Sequence, residues 1–404
     1  MMNQLNLFSN AGVRALVAGA LLLALTAIAC GGAAPAAQAE PITVEVTRVV
    51  EQPGPEVTRE VQVEVTRIVE HPGAEVTREV PVEVTRVVRE FAPNDDPGEL
   101  IIYSGRSESL VDPIIQQFKG ATGIDVRVKY AGTAALAATL LEEGANSPAD
   151  VFYAQDPGGL AAVSEMMTEL PTDIIEMTPE WARSAEGHWV GVTGRARVVV
   201  YGTDQLSEDD LPNDLWGFTE PEWKGRVGWA PTNGSFQAMV TALRRGWGEE
   251  RAEEWLRAMI ANDVKIYPKN TPQVAAAAAG EIDVGLVNHY YLYRFIAEEG
   301  EDFAARNAHL RGAGPGSIVL VSGAGILETA DNPENAEAFI RFLLSSVGQQ
   351  YFAGQTFEYP MVEGVRPSVL LTPLAEIEQP EITLADLSDL AGTQALLQKT
   401  GALP

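Results

Sequence analysis

From Glu99 onward the chain alternates short apolar runs with longer stretches in which apolar residues recur every three or four positions. The first texture predicts strands and the second amphipathic helices. ELIIYSG (99–105) reads as a strand ending in a Gly turn, and SESLVDPIIQQFKGATG as the helix after it, with a Gly stop. IDVRVKYAG is the next strand, TAALAATLLEEGANS the next helix, and ADVFYAQDPGGL a strand running into a loop. This order predicts a parallel sheet with right-handed crossovers. Ligands of such sheets collect at the carboxyl ends of strands, at a topological switch point. Residues 104–109, 132–134 and 154–159 are placed there.

The same grammar returns in GRVGWAPTNGSFQAMVTAL (225–243), DVKIYPKNTPQVAAAAAG (263–280) and EIDVGLVNHYYLYRFIAEEG (281–300). Two parallel-sheet lobes with facing strand-end loops describe a two-lobed α/β binding protein. The β-rich segments GRARVVVYG (194–202) and SIVLVSGAGIL (317–327) serve as crossings between lobes. The expected organisation is 99–197 with 317–365 as the first lobe, and 198–316 with 366–404 as the second.

The pattern before Glu99 is different. Residues 15–29 form one apolar stretch that is short for a membrane span and ends in small residues, with Arg14 the single charge in the first 30 positions. This predicts a signal peptide, 1–29. The Ala-Cys-Gly-Gly junction resembles a bacterial lipobox with Ala27 in place of the usual Leu, which implies lipidation of Cys30. EVTR then recurs at 45, 64 and 83, and at 56 and 75, each series with a period of 19, punctuated by Pro-Gly pairs. Valine and threonine favour extended strands, and too few aromatics are present for a core. Residues 30–98 are therefore expected to be a β-rich or extended repeat stalk carrying no chemistry.

Composition narrows the partners. The formal charge of −28 excludes nucleic acid and anionic lipid surfaces as partners, because phosphate polyanions are repelled. Membrane attachment is expected only through the lipid anchor, and the body is expected to be a monomer. A single cysteine excludes a disulfide framework and cysteine-based metal clusters. No Gly-x-Ser-x-Gly, P-loop, His-Glu-x-x-His or dinucleotide fingerprint stands in a suitable context, so no enzyme is predicted.

Candidate chemistry concentrates in NHYYLYR (288–294), which holds three of the chain's ten tyrosines at a strand-to-helix elbow. The residues alone leave two readings: aromatic packing, or phenolates around a hard cation. Arg106, in a strand-end loop, offers a planar fork for a bidentate oxyanion or a salt bridge to one of the many acids. Arg195 and Arg197 in the crossing segment are further candidates. The Thr232-Asn233-Gly234-Ser235 loop, after a strand and before a helix, has the backbone amides of an anion cradle and also ordinary turn and cap residues.

IYSGRSE, SPADVFYAQD, GRARVVVY, WKGRVGWAPTNGSF, AAGEIDVGLVNHYYLY and FEYP together resemble the ferric-ion-binding proteins of bacterial ABC importers, in the type II periplasmic-binding-protein group. The resemblance spans nearly all of 99–404. It implies that Tyr290 and Tyr291 coordinate Fe3+, and that Asn233, Gly234, Ser235, Asn270 and Asn288 hold a synergistic anion, carbonate or phosphate. It also implies an extracytoplasmic, lipid-anchored receptor, periplasmic or at the cell surface, that delivers iron to an ABC transporter permease. Ferric iron prefers anionic oxygen, and phenolate suits it. Where many relatives carry a histidine and a glutamate in the first lobe, this chain has Ser107 and Gln155. Glu108 or Asp156 are candidates to replace them, with Tyr293 expected to pack. The alternative is a same-fold receptor for a ferric chelate, another oxyanion, a polyamine or thiamine.

Overall fold

The computed structural model describes residues 97–403 and two short paired segments, Thr47–Arg48 and Arg59–Glu60. Those segments are antiparallel, with Thr47 opposite Glu60. The signal peptide, Cys30 and the Pro-Gly breaks of the repeats lie outside the described residues.

The body opens with β1 (Glu99–Ser104), α1 (Glu108–Thr122), β2 (Asp125–Tyr130), α2 (Thr133–Glu143), β3 (Val151–Ala154) and α3 (Pro157–Ala162). α1 buries Leu110, Val111, Ile114, Ile115 and Phe118, the face its 3–4 spacing predicts. It ends at Gly123, which takes a left-handed φ of 77° and returns its N–H to Lys119. β2 pairs in parallel with one side of β1 and β3 with the other. β2 is an edge strand, and its charged residues Asp125, Arg127 and Lys129 suit that position. β3 is buried along its whole length, as a central strand covered on both faces must be.

β4 (Val190–Gly202) is a 13-residue strand, buried throughout. The second half of the body then adds β5 (Val227–Trp229), α4 (Gly234–Trp247), α5 (Glu249–Ala261), β6 (Lys265–Ile266), α6 (Asn270–Ala278), β7 (Val284–Asn288), α7 (Tyr290–Glu299) and β8 (Ala305–Ala308). β9 (Val319–Ile326), α8 (Pro333–Leu344), α9 (Ser346–Gln355), β10 (Tyr359–Pro360) and α10 (Leu390–Thr400) complete it.

Among the described residues the strand order is β2-β1-β3-β9-β4-β7-β5-β6, with β8 and β10 also on β4. β4 and β9 are antiparallel to their neighbours, and β4 changes partner along its length. Val190–Ala196 pair with β9, while 197–201 pair with β7. One continuous strand thus runs from a parallel half-sheet, β2-β1-β3, to another, β7-β5-β6. The carboxyl ends of both open toward the same cleft. No helix among the described residues is long and apolar enough to cross a membrane.

Candidate metal and anion site

The loops after β1, β2, β3, β5 and β6 and the start of α7 line one cavity of about 770 Å³. Gly105–Ser109 and Tyr291 therefore face the same space from opposite half-sheets, as the strand-end argument requires.

α7 begins at Tyr290, directly after β7. Consecutive helical residues diverge by about 100°, yet at this elbow the Tyr290 and Tyr291 rings converge, with centroids 4.3 Å apart and planes 31° apart. Tyr290 is fully buried and its hydroxyl has no hydrogen-bond partner. Burial, reinforced by Tyr290, pushes the Tyr291 phenol well above its usual range. An uncompensated phenolate at Tyr291 is unfavourable here. Tyr293 packs against Phe357, with centroids 5.7 Å apart, and against the His289 ring.

Three arginines are buried around Tyr290: Arg106, Arg195 and Arg197. Arg195 and Arg197 lie two apart on β4, on the same face of the strand. Arg106 uses its fork on Glu358, with Nη1 donating to Oε1 at 2.9 Å and Nη2 to Oε2 at 2.7 Å. Burial pushes the Glu358 carboxyl up, but the Arg106 guanidinium more than offsets this and holds it below the usual range. Thr193 and Thr356 also donate to Glu358. Of the two roles open to Arg106, the structure shows the salt bridge; only Nε lacks a partner.

Arg197 is less satisfied. Nη1 donates to Asn288 Oδ1 at 2.9 Å, while Nε and Nη2 are buried without partners. Burial, with Arg195 alongside, lowers its pKa to about 9. Arg195 donates to Ser235 Oγ at 3.3 Å and to the Val321 carbonyl at 2.9 Å. Asn270, the first residue of α6, is also buried, and neither its amide nitrogen nor its oxygen has a partner.

Asn233 caps α4 by accepting the Ser235 N–H at 3.1 Å, so the TNGS loop does perform the bland role open to it. Ser235 Oγ is also the acceptor for Gln155 Nε2 at 2.9 Å and Asn288 Nδ2 at 3.0 Å. Gly234 lies so close to Asp156 that a Cβ on it would stand 2.0 Å from Asp156 Oδ2.

The replacement acids differ in setting. Glu108 is exposed at the first turn of α1 and lines the cavity beside Ser107. Asp156 is buried, caps α3 through Oδ1 to the Gly159 N–H at 3.1 Å, and leaves Oδ2 unpartnered. Burial raises its pKa. His289 is spent: Nδ1 accepts the Ala196 N–H at 3.1 Å and Nε2 donates to the Phe357 carbonyl at 2.8 Å. Burial lowers its pKa to about 4, so it is neutral near pH 7.

Sequence reasoning singled out neither Glu358 nor Thr133. Glu358 is set by Phe357, whose left-handed φ of 56° is costly for an aromatic residue. A lone acid inside the apolar run TFEYPM was the available signal, since buried carboxylates are paired. Thr133 accepts the Gln155 N–H at 3.0 Å, and its side chain fills the space that Gly105 and Gly159 leave. Its place in the strand-end segment 132–134 was the available signal.

Two half-sheets joined through a long crossing strand, with a polar cleft between, define the two-lobed type II periplasmic-binding-protein fold. Residues 146–376 match the family profile described as bacterial extracellular solute-binding protein. The chain belongs to that family and is a binding protein rather than an enzyme. It is 35% identical over 308 residues to the major ferric iron-binding protein of Neisseria meningitidis serogroup B, covering 75% of this chain and 93% of the relative. The crystal structure of iron-bound HitA from Pseudomonas aeruginosa superposes with a TM-score of 0.73 at 34% identity, covering 76% of this chain and all of that one. The Trichodesmium protein IdiA (FutA), solved with iron and citrate, matches with a TM-score of 0.63 at 28% identity over 75% of this chain and 99% of that one. The resemblance drawn from the motifs is met by these relatives.

Proposed function

We propose that this protein captures ferric iron outside the cytoplasm, together with a synergistic oxyanion, and passes it to an ABC importer. The observation that carries the reading is the phenol pair whose inner hydroxyl, unpartnered and buried, lies among three buried guanidiniums. Ferric iron would draw both phenols into the phenolate form, since a bound trivalent cation stabilises the anion directly. The names of the relatives, which bind ferric iron, support the same cargo.

The charge balance supports the anion. Three guanidiniums and a trivalent ion are only partly balanced by two phenolates and Glu358. A carbonate or phosphate would offset most of the remainder, with the free Nε and Nη2 of Arg197 and the Asn270 amide as its donors. Asn288 and Ser235 would act behind it, because their side chains already bond each other. Glu108 and Asp156 remain the acids on the first-lobe side that could complete the shell. Cys30 would anchor the mature chain to the membrane, and the repeats would lift the body toward a permease. The lobes would divide at 197/198, 316/317 and 365/366, the first boundary inside β4 and the second just before β9.

A ferric chelate is the second reading. It is favoured by the size of the cavity and by Lys269 and Arg294 in its lining, which suit a carboxylate-bearing chelator. The buried guanidiniums count against the cationic alternatives, polyamine and thiamine. Adding ferric citrate to the purified chain in carbonate buffer, in phosphate, and in neither tests the proposal. A visible phenolate-to-iron charge-transfer band that needs an inorganic oxyanion supports it. Native mass spectrometry showing citrate retained with the metal would favour the chelate. Absence of colour and of metal in all three buffers would overturn both.

A further inference from the structure

Two loops from opposite half-sheets touch at the floor of the cleft. Gln155 follows β3, while Asn233 and Ser235 open α4 after β5. Gln155 Nε2 donates to Ser235 Oγ at 2.9 Å and lies 3.4 Å from Asn233 Oδ1. The two acceptors are tied together, because Asn233 Oδ1 also accepts the Ser235 N–H. Gln155 is itself held in place, its backbone N–H donating to Thr133 Oγ1. Beside it, Gly234 rests against the Asp156 carboxylate at a distance only a glycine permits.

We propose that Gln155 is a positioning residue that latches the two half-sheets together and thereby sets how slowly cargo leaves. The bonds run from protein to protein, so they act whether or not cargo is bound. An amide suits the position for a chemical reason. Asn233 Oδ1 can only accept, so a side chain that reaches it must donate. An ionised carboxylate at 155 could accept the Ser235 O–H but give nothing to Asn233 Oδ1. Because Gln155, Arg195 and Asn288 reach one hydroxyl from three elements, Ser235 is the point at which both half-sheets and the crossing strand meet.

The test reads closure without cargo, and only its second arm rests on the ferric reading. Spin labels placed through Leu141→Cys on α2 and Ile266→Cys on β6, both exposed positions, span the cleft in the full chain carrying Cys30→Ser. In chain stripped of iron by a chelator, the parent should give one narrow distance distribution. Gln155→Met, close in shape but unable to donate, should broaden it and shift it to longer distance. Gln155→Ala is the second variant, and its melting temperature confirms folding. Ser235→Ala should produce the same shift, and the double variant no more than either single one. With ferric iron as probe, release to a competing chelator should quicken about tenfold in Gln155→Met, with the position of any charge-transfer band unchanged. Folded variants with the parental distance distribution would overturn the latch and leave the ferric reading standing. A shifted distribution in a protein that takes up no iron would uphold the latch and sink the ferric reading.

Discussion

Replacing Tyr290 by Phe separates metal binding from packing, because the structure predicts opposite signs for the two. The ring is fully buried and lies against Tyr291, so Phe keeps the contact and nearly all of the volume. What is removed is a hydroxyl with no hydrogen-bond partner. An unsatisfied buried polar group costs about 1–3 kcal/mol, so the variant should be no less stable than the parent. Each kcal/mol recovered moves Tm by about 2–4 °C in large domains. Ferric affinity should move the other way. Losing an outer-shell partner alone costs a metal site about 10–100-fold, and a direct anionic donor amid three guanidiniums should cost more. Affinity is measured by competition with a chelator, colour by visible absorption, and Tm by calorimetry. Tyr293→Phe is the control, since that ring packs on Phe357. A Tyr290→Phe chain with parental affinity and colour would refute the coordination argument. A chain that loses binding only because Tm collapses would show the hydroxyl to be structural.

Ferric binding should release up to two protons, so apparent affinity should rise with pH below the phenol range by as much as about two decades per unit, read by chelator competition from pH 5.5 to 8. The iron-free fold should lose stability above about pH 10, because burial and Tyr290 raise the Tyr291 pKa and only the unfolded chain ionises freely there. Glu358→Gln strands the buried Arg106 fork and should cost about 3–5 kcal/mol, seen as a shift in urea midpoint. In the parent, the depressed Glu358 pKa stabilises the fold above about pH 4.5 and the effect fades as pH falls through the folded value; the variant should lack that limb. A chain beginning near Asp96 should bind iron within about tenfold of the full chain, and a larger loss by titration would give the repeats a part in the site.

Local pattern was enough for most of the elements. The 3–4 spacing of α1 with its Gly stop, the alternation of the charged strand β2 and the continuous apolar run of β3 are visible residue by residue. They are legible because helical and extended backbones each impose one period on the side chains. The strand-end placement of Arg106, Gln155 and the tyrosines follows from the same order of elements. Partner choice lies beyond that. Arg106 is bound by a glutamate 252 residues away and Gln155 by a serine 80 residues away. Nor does any period say that β4 pairs with β9 along one half and β7 along the other. A sequence pattern records which face each residue turns to the interior, whereas a buried charge or amide is satisfied by whichever group the packed fold brings opposite it. The tertiary structure alone decided that the Arg106 fork is occupied, that Arg197 keeps donors free, and that Tyr290 ends among them.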